Sequence, residues 1–290
     1  MNHRLTLAAT AVLAATLASP AANALVITTT NDVSTLQAAV LAPSSGISVV
    51  GNSLVSGAAT QQATYTGFNL APSSGSTATL SLGDGILLTS GNANLPLTNT
   101  TNQFTGGLNS PGFPALSTLA GANTFDANVL SFTFTIAGGQ NAVSASFLFG
   151  SEEFPTQNVT DIFGFFVDGV NYAFFPGGAL IANAPGSGAN FINNPVGGGI
   201  YGIEYNGLTP VFSVTGLLDM SLTTHTLSIA IADTNDTSYD SGVFFTGLSA
   251  SNSSSGGGIG DPGTPVPEPA SLTLLGMGML GLAAMRRRIS

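Results

Sequence analysis

The chain has 290 residues, no Cys and no Trp, and sets four basic residues against fourteen acidic ones, for a formal charge of −10. The lack of Cys excludes disulfides, thiolate metal sites and cysteine nucleophiles. The basic residues are Arg4 and Arg286 to Arg288, so the chain between them cannot neutralise phosphates, and nucleic acid is excluded as a partner.

The N-terminal segment reads as a secretory signal peptide over residues 1–24. His3 and Arg4 give a basic start, Leu5 to Leu17 is an apolar run, and Pro20 breaks it. Ala22 and Ala24 put small residues where signal peptidase grips its substrate after transit through the Sec translocon. The apolar run is too short for a retained span, so cleavage is expected after Ala24.

The next stretch, 25–250, reads as one domain of strands and turns. Val33, Leu36, Val40 and Leu41 share a face at helical spacing, with Asn31 or Ser34 as the cap. Strands are predicted around Leu80 to Leu82 and Ile86 to Leu88, and residues 89–109 read as loop. Leu130 to Ile136 alternates apolar and polar, Gly138 to Asn141 is a turn signal, and Val143 to Phe149 resumes the alternation. That pattern predicts a β-hairpin with one buried face. Ile162 to Val167 is a continuous apolar run, expected as a core strand. Asp168-Gly169 turns into Tyr172 to Phe175, and residues 185–199 form a second loop. Leu227, Ile229 and Ile231 share one face of a late strand, and Val243 to Leu248 gives the last. Many short strands with turn punctuation predict an all-β fold. The expected architecture is a β-sandwich, with a jelly roll as one arrangement open to it, plus one short N-terminal helix. Residues 251–265 are rich in Ser, Gly and Pro and read as a linker.

Carboxylates gather around two apolar segments. Glu152, Glu153 and Asp161 flank one; Asp233, Asp236 and Asp240 flank the other. With no Lys or Arg nearby in sequence, they must be solvated, accept backbone hydrogen bonds, take up protons or bind cations. Ca²⁺, which takes about 6–8 oxygen ligands, is the candidate cofactor, although the spacing is not that of an EF-hand loop. The competing reading is turn capping. Glu152 and Glu153 as a glycosidase pair would have to flank one bond, whereas neighbours on a strand point to opposite faces. His225 lies in a polar strand start, and no Gly-x-Ser-x-Gly elbow accompanies it. These features predict a protein that is not an enzyme.

The C-terminal segment, 266–290, adds a second device. Val266-Pro267-Glu268-Pro269 precedes an uncharged apolar stretch from Ala270 to Met285, and Arg286, Arg287 and Arg288 follow. As a helix that stretch is about 24 Å long, short of a bilayer core of about 30 Å, a gap that flanking Arg can cover by snorkelling. The order resembles the PEP-CTERM sorting signal. The resemblance implies an inner-membrane-anchored precursor in a Gram-negative bacterium, cleavage by an exosortase, and export alongside exopolysaccharide and biofilm components. Ser151-Glu152-Glu153-Phe154, Asp161-Ile162-Phe163-Gly164-Phe165-Phe166, Phe175-Pro176-Gly177, Tyr205-Asn206-Gly207 and the run from Ala232-Asp233 to Asp240-Ser241-Gly242-Val243-Phe244 resemble the choice-of-anchor L domain family. That resemblance implies an exported domain of the cell surface or extracellular matrix. The expected role is structural or adhesive. A calcium-dependent carbohydrate-binding module is the alternative, and a glycoside hydrolase the third reading.

Overall fold

The computed structural model describes residues 24–73, 78–155, 160–254 and 258–259. The signal segment before Ala24 and the sorting segment with its expected membrane helix lie outside the described residues. Among the described residues, no helix is long and apolar enough to cross a membrane.

Ten longer strands carry the fold. They are β1 (Val26–Thr29), β2 (Ile47–Ser56), β3 (Gln62–Thr66), β4 (Gly85–Thr89) and β5 (Thr124–Ile136), then β6 (Ala142–Ser151), β7 (Ile162–Val167), β8 (Phe212–Leu217), β9 (His225–Thr234) and β10 (Ser241–Ser251). They form two antiparallel sheets. The first has the order β1-β3-β4-β10-β6, with β8 along the first half of β6 and the short Gly207–Leu208 strand along its end. The second has the order β7-β9-β5-β2, extended beyond β7 by Val170–Asn171 and Ile181–Ala182. The arrangement is the expected β-sandwich.

The hairpin expected from Leu130 to Phe149 does not form. β5 pairs with β9 and β2, while β6 pairs with β10 and β8 in the other sheet. Gly138 to Asn141 therefore carries the chain from one sheet to the other. The alternation correctly marks which side chains face the core, but two strands facing across a sandwich carry the same pattern as two hydrogen-bonded neighbours.

The sheets enclose a core of Phe132, Phe134, Phe147, Phe149, Phe163, Phe165 and Phe245 with aliphatic partners. A second cluster covers the outer face of the first sheet, where Leu87, Leu148 and Phe244 meet Tyr65, Phe68, Tyr201 and Tyr205. A third lies outside the second sheet, with Ile162 and Phe166 under Leu116. Burial on both faces explains why β7 reads as a continuous apolar run rather than an alternating one.

Two short helices attach to this frame. The helix α1 (Val33–Val40) sends Leu36 and Val40 into the central core. Its cap is Asp32, whose carboxylate accepts the Ser34 amide at 3.2 Å, so Ser34 is the capped partner and Leu41 ends the helix. The sequence reading missed α2 (Pro114–Ala120), which starts on Pro114 and ends at Gly121 in a left-handed conformation. Both are ordinary helix-boundary signals, but they sit in a stretch too short to show helical periodicity. Past β10, Gly258–Ile259 pairs in parallel with Ala173–Phe174.

Candidate functional site

Antiparallel pairing collects the carboxylates. The C-terminal ends of β4, β6 and β9 and the N-terminal ends of β5, β7 and β10 lie at one end of the sandwich. The register fixes this: Ser241 is opposite Ser151, Gly242 opposite Thr89, Ala232 opposite Ile162, and Asp233 opposite Phe125. Gln61 ties the two sheets together there. Its side-chain amide donates to the carbonyls of Ser90 at 2.9 Å and Asp126 at 2.8 Å.

Five of the six predicted acids are buried in this end: Glu152, Glu153, Asp161, Asp233 and Asp240. Glu152 and Glu153 do not alternate along a strand, because both lie in the bend that follows β6. Glu152 accepts the Phe104 amide at 2.9 Å, and Glu153 accepts the Asp161 amide at 3.1 Å. Each keeps one carboxylate oxygen without a partner, and Asp161, Asp233 and Asp240 keep both. Asp236 is only half-buried and accepts the Ser238 amide at 3.2 Å, the turn-capping role.

Burial without a cation governs the ionisation of these groups. Desolvation, then the Asp240 charge, pushes Glu152 up to about 9. Desolvation also pushes Glu153 up to about 9, with Asp236, Asp233 and Asp240 adding to it against the Asp161 amide. Asp240 rises to about 7 through desolvation and the Asp126 charge. Asp161 and Asp233 are held well above the usual carboxylate range, by desolvation first and by neighbouring carboxylates after it. The end of the sandwich therefore favours whatever removes negative charge, a proton or a cation.

The surrounding residues make room for this crowding. A Cβ at Gly91 would overlap the Asp240 carboxylate and the Thr105 hydroxyl. Ser241 sits fully buried with its hydroxyl unpartnered, while its amide donates to the Ser90 hydroxyl at 3.0 Å. Among the described residues, no group of three or more His, Cys, Asp or Glu side chains is arranged to hold a metal ion.

Sequence reasoning missed three acids that organise loops. Asp126 takes a left-handed conformation (φ 50°) and accepts the amides of Leu108, at 2.7 Å, and Ser110. An Asp inside the apolar run of β5 was the signal for it. Glu204 accepts the amides of Thr100 and Thr101 and the Thr98 hydroxyl. Burial pushes Glu204 up, but these bonds outweigh it and hold it below its ordinary value. Asp168 pairs with His225 at 2.7 Å. His225 is buried against Phe134.

Two family profiles match. The one described as the PEP-CTERM protein-sorting motif covers residues 265–288. It marks an exported protein, made as a membrane-anchored precursor in Gram-negative bacteria and recognised by an exosortase. No curated protein and no solved structure matches the chain. The other profile, the choice-of-anchor L domain, covers residues 25–251, from the start of the first sheet to the last residue of β10, and the chain belongs to the choice-of-anchor L domain family.

Proposed function

We propose that this protein is a non-enzymatic structural or adhesive module of the cell surface or extracellular matrix, released from its membrane precursor by exosortase cleavage and working alongside exopolysaccharide. The observation that carries this reading is the succession of the two matched regions, the choice-of-anchor L domain over residues 25–251 and the sorting motif over residues 265–288. β10 starts at the carboxylate end with Ser241 opposite Ser151 and finishes at Ser251 opposite Ala142, at the other end of β6. Beyond it, Gly258–Ile259 runs parallel to Ala173–Phe174, back beside β7.

A non-enzymatic role fits the burial of the acids. Glu152 and Glu153 are 2% and 1% exposed, so neither offers an oxygen to a sugar chain. An open groove of about 600 Å³ lies over the second sheet, between Ala120, Ile162, Pro176, Leu180 and Ala184, and its lining among the described residues has no ionisable side chain. Glycan stacking is poorly served as well. Three of the five Tyr (Tyr65, Tyr201 and Tyr205) are buried, and the chain has no Trp.

The test compares wild-type cells with cells lacking the exosortase. Mass spectrometry of the fractionated protein should find a C-terminus near Pro267 to Pro269 in the wild type only, with the protein in the surface or matrix fraction. Loss of the protein should weaken surface attachment. Identical C-termini in both strains, or release of reducing ends from the producer's polysaccharide by the purified protein, would overturn the proposal.

A further inference from the structure

We propose that the uncharged run Pro262 to Pro267 docks in the open groove over the second sheet and so holds the sorting signal of the uncleaved chain against its own domain. The last described strand sets the direction of the tail. Gly258–Ile259 runs parallel to Ala173–Phe174, so the chain past Ile259 heads the same way as Phe175, Pro176 and Gly177. Pro176 and Gly177 are exposed and line the groove. On its other side Phe174 bridges to Leu180, another lining residue. Leu180 therefore lies two strand spacings from Ile259, about 10 Å. Pro262 is three residues beyond Ile259, a reach of about 10 Å in extended chain.

The chemistry of the run matches that of the groove. Residues 262–267 read Pro-Gly-Thr-Pro-Val-Pro, uncharged between Asp261 and Glu268. The groove, of about 600 Å³, has Ile162, Leu180 and Ala184 along it and no ionisable side chain among its described lining. Its small side chains suit the close approach of pyrrolidine rings. Pro262, Pro265 and Pro267 have no N–H to extend the ladder begun at Gly258–Ile259, and they favour a polyproline II course. Such a segment is already stiff, so docking costs it little conformational entropy. The short tether of Gly260 and Asp261 keeps the run at an effective concentration on the order of millimolar at the groove, which a free ligand would have to match. The inference rests on the sorting motif and is independent of the adhesive role.

The test uses the purified full-length protein in detergent, with no exosortase present, so its failure leaves release by cleavage untouched. The chain has no Cys, and introduced thiols are therefore the only ones. Ala184→Cys combined with Val266→Cys should form a disulfide within one chain under mild oxidation. It should form about tenfold or more faster than in the pair Met220→Cys with Val266→Cys, because Met220 is exposed on the loop tied to Asp168 beyond the far end of β7. In a second measurement, the lone thiol of Val266→Cys should react with a maleimide about fivefold faster once the groove is filled by Ala184→Leu. Ala189→Leu should act in the same way, and Ala189 is an exposed lining residue, so that change spares the core. Equal disulfide rates in the two pairs would overturn the proposal. So would disulfides formed only between chains, which would give the groove to the tail of a second copy, or maleimide rates that neither groove-filling variant changes.

Discussion

Gly242 of β10 leaves the space that the Tyr205 hydroxyl fills; a Cβ at Gly242 would overlap that oxygen. Tyr205 is itself buried, so it has little room to retreat. Gly242→Ala should therefore destabilise the domain by about 1–3 kcal/mol, the usual penalty for overpacking. Chemical denaturation checks this. A midpoint equal to wild type would show that the ring gives way.

Stability without divalent cations should fall as pH rises. Glu152 faces Asp240, Glu204 and the Phe104 amide, and its folded value of about 9 lies above its ordinary 4.5. Asp240 is raised from 3.8 to about 7. A raised carboxyl binds its proton more tightly in the folded state, so its contribution is complete below the ordinary value and is lost as pH rises through the folded one. Each group adds a slope of up to about 1.4 kcal/mol per pH unit inside its window. Glu204, held low, works the other way and loses its contribution on acidification. Melting in EDTA should thus be highest near pH 5 and should drop towards pH 9. A flat profile over that range would contradict the burial of the acids.

Gln61 joins the sheets at the acidic end by donating to the Ser90 and Asp126 carbonyls and accepting the Ala58 amide at 2.6 Å. Gln61→Ala leaves those buried backbone groups unmet and should cost about 2–4 kcal/mol. The denaturant midpoint should fall at constant m-value. Hydrogen exchange should speed up first at residues 89–91 and 126–128.

Asp168 accepts the Thr226 amide at 2.8 Å and the Asp219 amide at 3.1 Å besides pairing with His225. It also sits at φ 49°, a conformation that Asn tolerates and Ala does not. Asp168→Ala should cost about 2–4 kcal/mol, and Asp168→Asn about half of that. Equal melting temperatures for the two variants would remove the backbone part of this account.

The sequence made strand faces legible and strand partners illegible. Leu130, Phe132 and Phe134 point inward as their alternation predicts, yet the same alternation in Val143 to Phe149 suggested a hairpin where a crossover exists. Hydrophobic period two reports which side of a strand is dry, and it is blind to which neighbour supplies the hydrogen bonds. The candidate site was legible as a set, because Glu152, Glu153, Asp161, Asp233 and Asp240 flank apolar strands that antiparallel pairing must bring to common ends. Asp236 belongs to the same motif but caps a turn. Asp126 and Gln61 escaped notice because their roles depend on contacts across the sheets: Gln61 reaches residues 28 and 65 positions away.

The course of β10 also has a mechanical meaning. Tension arriving through the tail would first meet the short pairing of Gly258–Ile259 with Ala173–Phe174, and then the end of β10 at Ser251. That strand is flanked on both sides, by β4 and β6, with ladder bonds lying across the direction of pull. A load along the strand strains those bonds together, in shear, instead of opening them one at a time. Were the domain to work as the adhesive module proposed, a pull along β10 would meet all of these bonds at once.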